Sequence, residues 1–341
     1  MTRAAHPGAT AALLVGLTVA GLYPAILNGF PLLFSDSGVY LGDFRYPGHP
    51  PFYTLFVWVT SLRAFPWMTI VAQSAIVAVT LVIFLRATGR ISRPGPLVVA
   101  GLAVLALNQA PWLASWIMPD IFAGLGIAAL CALLLTPERL RLFEGAWLVG
   151  LVGVATLTTT ANGPLFVGLI ATCLILRGAV MRQRPHGAGT LASAGMLALA
   201  LLMTMAANKA LHGVFALNSA GPALTFSRLA DTGLAQPYLV ERCRTAEFRV
   251  CAHLDALNDF KRGEQTFLWF GVADLTDARG AGREEYAQLS AEILAERWPA
   301  FLREGLRDTV RLFGRPTFGE IGGYTELGSI GNWLNAQIAD R

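Results

Sequence analysis

The first 207 residues of the chain contain repeated long apolar stretches, separated by short polar connections. A helix of about 20 apolar residues spans the hydrocarbon core of a bilayer. Three stretches are about that long and four are shorter, and together they predict seven transmembrane helices: 8–27, 67–85, 96–107, 121–135, 145–157, 164–176 and 190–207. The pattern therefore predicts an all-α integral membrane bundle over residues 1–207.

Two longer connections interrupt the bundle, at residues 28–66 and 108–120. Residues 28–50 are rich in Gly and Pro, which predicts a loop. Residues 51–65 are amphipathic and aromatic, which fits either an interfacial helix or the start of the next span. Both connections are predicted to lie on the same side of the membrane.

Residues 208–341 differ from the bundle because they contain no run of 18 apolar residues. They predict a smaller, mainly helical, water-facing domain. Within it, residues 289–313 have apolar residues at helical spacing, and Pro299 interrupts or kinks that helix. We favour packing of its apolar face on its own domain over contact with the membrane surface. Residues 314–330 are Gly-rich and predict a loop.

The distribution of charge supports this division and orients the bundle. Only 14% of residues are charged, against about 25% in soluble domains. Residues 208–341 contain 17 of the 22 acids, and nine of the 11 Lys and Arg in residues 1–207 lie on the side of Arg3. The positive-inside rule then places Arg3 in the cytoplasm, and the two long connections and the C-terminal domain outside. In a bacterium this is an inner-membrane protein with a periplasmic domain. The net charge of +4 requires no nucleic-acid partner.

The four cysteines divide between the two regions. Cys131 and Cys173 lie in predicted spans and are interpreted as packing residues. Cys243 and Cys251 lie in the outward domain, where a disulfide is the natural expectation for an oxidising compartment. A zinc site is the weaker alternative, because their spacing fits no standard ligand pair.

Acidic residues beside a membrane require an explanation, because charge there is costly unless it is solvated or paired. Asp43 is explained by solvation of its loop, whereas Asp36 and Asp120 each follow an apolar run. A carboxylate in a partly dehydrated cleft can act as a general base. Two carboxylates from different loops can instead hold a divalent metal, Mg²⁺ or Mn²⁺.

Two cationic or ionisable residues follow Asp36 in the same connection. His49 can hydrogen-bond a phosphate, or it is simply a turn residue before Pro50 and Pro51. Arg45 can pair with a lipid phosphate as part of a site, or it anchors the loop to headgroups.

The residues Asp36, Tyr40 and His49-Pro50-Pro51-Phe52-Tyr53 resemble a pattern of the GT-C superfamily of polyprenol-phosphate-sugar-dependent glycosyltransferases. The resemblance is to the protein mannosyltransferase and aminoarabinose transferase group. Trp116-Ile117-Met118-Pro119-Asp120 resembles the second outer segment of that group. The similarity covers about residues 10–180. The family often has Glu after its first Asp, where this chain has Ser37, and it usually has more than seven spans.

The resemblance implies an inverting transfer of a sugar from a polyprenyl-phosphate donor to a glycan, lipid or protein acceptor on the outer face of the membrane. It implies that Asp36 is the catalytic carboxylate and that Asp120 assists it, with or without a shared metal. Arg45, His49, Tyr40 and Tyr53 would contact the substrate, the first two at the donor phosphate.

Two other classes of function remain alternatives. A transporter is less favoured, because the acids lie at the membrane boundary and the chain has no inverted repeat. A non-catalytic membrane scaffold, whose outer domain binds a partner, predicts that Asp36 and Asp120 are dispensable.

Overall fold

A computed structural model describes residues 7–34, 36–42, 48–63, 65–89, 91, 93–182, 187–254 and 282–314. Helices account for most of these residues. They contain no β-strand, only one isolated parallel bridge between Leu32 and Trp116. The chain divides into two compact units between Leu217 and Asn218. The sequence predicts a boundary after residue 207, whereas the helix that begins at Gly187 continues to His212.

The first unit consists of eleven helices within the described residues, several of them short. They are α1 (Pro7–Gly21), α2 (Tyr23–Asn28), α3 (Ser37–Gly42), α4 (Pro51–Ser61), α5 (Pro66–Gly89), α6 (Pro94–Leu107), α7 (Ala110–Ser115), α8 (Asp120–Leu135), α9 (Leu142–Thr158), α10 (Asn162–Ile175, extended by a π-turn to Val180) and α11 (Gly187–His212).

Among the described residues, three helical segments are long and apolar enough to cross a membrane: Pro66–Gly89, Asn162–Val180 and Gly187–His212. Four shorter apolar helices accompany them: Gly8–Gly21, Pro94–Leu107, Asp120–Leu135 and Leu142–Thr158. Large apolar side chains on these helices and at their ends are exposed, for example Leu107 at 87%, Leu142 at 93% and Leu191 at 74%. Such surfaces suit contact with lipid rather than water.

The helices of the first unit pack closely around a common apolar core. Helix α8 packs against α9 and α10, α9 packs against α11, and α5 contacts α1 and α8. Gly126 of α8 permits one close approach, because a Cβ there would collide with the ring of Phe166 and lie 3.0 Å from Cβ of Ala155. Small residues allow such close helix contact in membrane proteins.

The two acids that were predicted to face the cytoplasm are paired with arginines. Glu144 is buried, forms an ion pair with Arg86 and accepts the backbone N–H of Arg141. Glu138 pairs with Arg177 at 3.4 Å, and Arg177 also donates to the carbonyl oxygens at the end of α8. These pairs and hydrogen bonds give both acids a structural role.

The turn after α4 shows that residues 51–61 form a separate helix and not the start of the next span. Leu62 and Arg63 both have left-handed backbone conformations, with φ of 50° and 61°. Such angles end a right-handed helix and are uncommon for residues other than Gly. Arg63 lies over the ring of Trp58, 4.2 Å from its centroid, which holds this turn against α4.

The second unit contains α12 (Gly221–Asp231), α13 (Ala235–Arg242), a 3₁₀ turn (Arg249–His253) and a long helix, labelled α14 (Gly282–Phe313). The sulfur atoms of Cys243 and Cys251 are bonded at 1.99 Å, so the predicted disulfide is confirmed. The free cysteines Cys131 and Cys173 lie in α8 and α10, as predicted.

Helix α14 has two different halves. Tyr286, Leu289 and Ile293 of its first half are buried against α12, so packing on its own domain is confirmed there. The backbone of Arg297 departs from helical geometry, two residues before Pro299, which accounts for the predicted kink. Beyond the kink the prediction is wrong for most apolar side chains, because they are exposed. Apart from Gly314, the predicted loop at 314–330 lies outside the described residues.

Candidate functional site

The two long connections of the first unit, residues 28–66 and 108–120, are hydrogen-bonded to each other. The backbone N–H of Leu32 donates to the carbonyl of Ser115 at 2.9 Å, and the N–H of Ile117 donates to the carbonyl of Leu32 at 3.1 Å. The rings of Phe34 and Trp116 stack with their centroids 6.1 Å apart. Segments more than 80 residues apart in sequence are thereby fixed side by side, immediately before Asp36 and Asp120.

Ser37 forms the link closest to the two acids. Its buried hydroxyl donates to the carbonyl of Ile117 at 3.0 Å and accepts the N–H of Phe34 at 2.8 Å. The family that this segment resembles often has Glu at this position. An ionised Glu could not donate a hydrogen bond to the carbonyl of Ile117. The serine therefore positions one acidic segment against the other.

Asp36 and Asp120 each stand at the start of a helix. Asp36 is half-buried, and its carbonyl accepts the N–H groups of Val39 and Tyr40 at the first turn of α3. Asp120 is exposed and is the first residue of α8, where the helix dipole favours negative charge. That position also gives Asp120 a stabilising role, apart from any chemistry.

Tyr40 lies within electrostatic reach of both carboxylates. Burial raises the pKa of its phenol well above the ordinary value, and the charges of Asp36 and Asp120 raise that pKa further. Its hydroxyl therefore stays protonated in the working pH range. The structure thus brings together three of the residues that the sequence singled out.

His49 joins the same group through Tyr40. The Tyr40 hydroxyl and His49 Nδ1 are hydrogen-bonded at 3.0 Å, and the two rings meet edge to face with centroids 5.3 Å apart. Burial lowers the pKa of His49, and the neighbouring Asp36 offsets part of that effect. The imidazole is therefore neutral near pH 7.

Tyr53 continues the group into the core through a residue that the sequence analysis missed. Its hydroxyl donates to Oε1 of Gln73 at 2.6 Å, and Gln73 Nε2 donates to the carbonyls of Ala114 at 3.1 Å and Trp116 at 2.8 Å. Tyr53 and Gln73 are both fully buried. Gln73 therefore connects α4, α5 and the connection at residues 108–120.

Aromatic rings form the base of this arrangement. The ring of Tyr53 meets that of Tyr40 edge to face at 4.7 Å, and Phe122 meets Phe56 in the same way at 5.5 Å. Phe122 is two residues into α8 from Asp120 and is fully buried. Phe122 therefore links the start of α8 to this aromatic cluster.

Arg45, a predicted substrate-binding residue, and Asp43, interpreted as a solvated loop residue, both lie outside the described residues. Among the residues that the structure describes, no three His, Cys, Asp or Glu side chains converge where they could hold a metal ion.

The signal that could have identified Gln73 is its amide within the apolar run of α5, and the signal for Ser37 is its place directly after Asp36. Comparison of the chain with protein-family models, curated proteins and solved structures finds no match.

Proposed function

We propose that the chain is a membrane glycosyltransferase that moves a sugar from a polyprenyl-phosphate donor to an acceptor on the outer face of the bacterial inner membrane. The observation that carries the proposal is the convergence of the two outer segments. Leu32 and Ile117 are joined by backbone hydrogen bonds, Ser37 donates to the carbonyl three residues before Asp120, and the charges of both acids raise the pKa of Tyr40. The resemblance of these segments to the GT-C group supplies the reaction class.

In the proposed reaction, an oxygen of the acceptor hydroxyl attacks the anomeric carbon of the sugar. The bond from that carbon to the phosphate oxygen breaks, and its electron pair leaves with the polyprenyl phosphate. Asp36 accepts the proton of the acceptor hydroxyl as general base. A single displacement inverts the anomeric configuration.

The remaining residues have supporting roles in this proposal. Asp120 assists Asp36, either by orienting the acceptor or by sharing a Mg²⁺ or Mn²⁺ ion with it. Arg45 would neutralise the phosphate charge. Tyr40 and His49 form one hydrogen-bonded unit near the acids. The ring of Tyr53 packs against the ring of Tyr40 and supports that unit.

The proposed membrane arrangement has seven spans, with Arg3 in the cytoplasm and the second unit in the periplasm. The three long and four shorter apolar helices support this number. The arginine-paired acids Glu138 and Glu144 would lie on the cytoplasmic side, opposite Asp36 and Asp120. This placement at helix ends also favours an enzyme over a transporter, whose ion sites typically lie near the middle of the bilayer.

The direct test is turnover of defined lipid substrates. The purified full chain in nanodiscs is incubated with a panel of radiolabelled polyprenyl-phosphate sugars and membrane acceptors. We expect release of polyprenyl phosphate from one donor and a product of inverted configuration. The absence of turnover for every donor, with the folded protein and with Mg²⁺ and Mn²⁺ present, would favour the scaffold alternative.

A further inference from the structure

The second half of α14 has an exposed apolar stripe. Its side chains recur at helical spacing and are more than half exposed: Trp298 at 58%, Leu302 at 58%, Leu306 at 67%, Val310 at 64% and Phe313 at 88%. Soluble surfaces rarely expose a continuous row of large apolar residues without a partner. We name these five residues the α14 stripe.

Contacts on the other side of the helix show that the α14 stripe points away from its own unit. Phe301 packs against the core of the second unit, and Asp308 forms an ion pair with Arg228 of α12. At 3.6 residues per turn, Phe301 and Asp308 lie about 140° and 160° around the helix from Leu306. The core side and the stripe are therefore on nearly opposite faces.

Arginines border the stripe along one edge. Arg303 and Arg307 lie about 20° and 60° around the helix from Val310, whereas Arg311 lies about 140° from Leu306, as far from it as Phe301. Arg307 pairs with Glu304 and Arg311 with Asp308, both of which lie farther from the stripe. Arg303 forms no ion pair with any of the described residues.

We propose that the α14 stripe lies in the headgroup–acyl boundary of the membrane and that its arginines bind anionic lipid phosphates. An apolar stripe with a tryptophan, bordered by Arg303 and Arg307, has the composition of an interfacial helix. The connectivity of the chain supports lipid as the occupant, because α12 begins nine residues after α11, a membrane-length helix, ends at His212. That short tether keeps the second unit at a high effective concentration beside the bilayer.

The test measures where single side chains of the full chain reside. Cys131 and Cys173 are replaced by Ala, the disulfide is kept, and a nitroxide label is attached to Leu306→Cys or, as the matched neighbour, Arg307→Cys. The protein is placed in nanodiscs of phosphatidylglycerol and phosphatidylcholine. Collision with oxygen, which concentrates in lipid, is compared with collision with a water-soluble nickel complex.

We expect the oxygen-to-nickel collision ratio to be several times higher at position 306 than at position 307. Equal and low ratios at the two positions would place the stripe in water and overturn the proposal. Protection of position 306 from both reagents would also overturn it, because the stripe would then be covered by protein, either a second copy or another part of the chain.

The charged edge is tested separately with the label at position 306. Replacement of Arg303 and Arg307 by Gln should lower the ratio in nanodiscs that contain phosphatidylglycerol and leave it nearly unchanged in phosphatidylcholine alone. An equal effect in both lipids would show that the arginines do not recognise anionic lipid. None of these outcomes depends on glycosyltransferase activity.

Discussion

Gln73→Leu is the substitution whose effect follows most directly from the geometry of the first unit. Gln73 makes three side-chain hydrogen bonds, one from Tyr53 and two to the carbonyls of Ala114 and Trp116. Leucine has a similar size but makes none of them. A buried polar group left without its partner costs about 1–3 kcal/mol. Because the Tyr53 hydroxyl is fully buried and two carbonyls also lose a donor, we expect a total loss of about 2–5 kcal/mol.

The neighbouring Ser74 provides the control for this substitution. Its buried hydroxyl makes one hydrogen bond, to the carbonyl of Thr18 in α1, away from the candidate site. Ser74→Ala should therefore cost only about 1 kcal/mol. Thermal unfolding in detergent, followed by near-UV circular dichroism, should show a clearly larger decrease in midpoint for Gln73→Leu than for Ser74→Ala.

A double-mutant cycle separates the hydrogen-bond network from general packing. Tyr53→Phe removes the hydroxyl that Gln73→Leu leaves unpaired, so the double variant should be more stable than the sum of the single losses predicts, by about 1 kcal/mol or more. If the two losses are additive, or if Gln73→Leu costs no more than Ser74→Ala, the account of this network is wrong.

Three further predictions concern topology, redox state and pH. A reporter fused after Arg184 should be active in the cytoplasm and one fused after Gly221 in the periplasm, and the reverse at either site would contradict the proposed orientation. Thiol reagents should fail to label Cys243 and Cys251 in the folded protein without reductant, whereas labelling of either would exclude the disulfide. Because burial lowers the pKa of His49, the unfolded chain binds more protons below about pH 6.5, so stability should fall as the pH decreases through that range. His49→Gln should flatten this decrease in melting temperature, and an unchanged slope would show that His49 does not cause it.

The helical character of the chain could be predicted from its apolar stretches, because a bilayer requires long segments whose backbone groups are satisfied internally. The end of α4 could not, because Leu62 and Arg63 adopt left-handed conformations that their residue types do not indicate. The exposure of the α14 stripe was missed for a related reason. Spacing identifies an apolar face but does not show which surface, if any, covers it.

The candidate site was predictable in part. Asp36, Asp120, Tyr40, His49 and Tyr53 each have a local sequence signal, either an acid after an apolar run or an aromatic residue in an unusual motif. Their connection depends on Ser37 and Gln73, whose hydrogen bonds reach backbone groups about 40 to 80 residues away. A single sequence contains no spacing rule for such contacts, so these residues become apparent only when the segments are placed together.

The most direct test of the central claim compares Asp36→Asn, Asp43→Asn and Asp120→Asn in the transfer assay with a radiolabelled polyprenyl-phosphate sugar. Asparagine keeps the size of aspartate and removes its charge. General base catalysis typically contributes about 10²–10⁴-fold, so Asp36→Asn should lower the rate at least about a hundredfold while the protein stays folded. Asp43→Asn should cost little, and Asp120→Asn should fall between them, or equal Asp36→Asn if both acids hold one ion. Rates near wild type for both Asp36→Asn and Asp43→Asn would contradict the claim that Asp36 is catalytic.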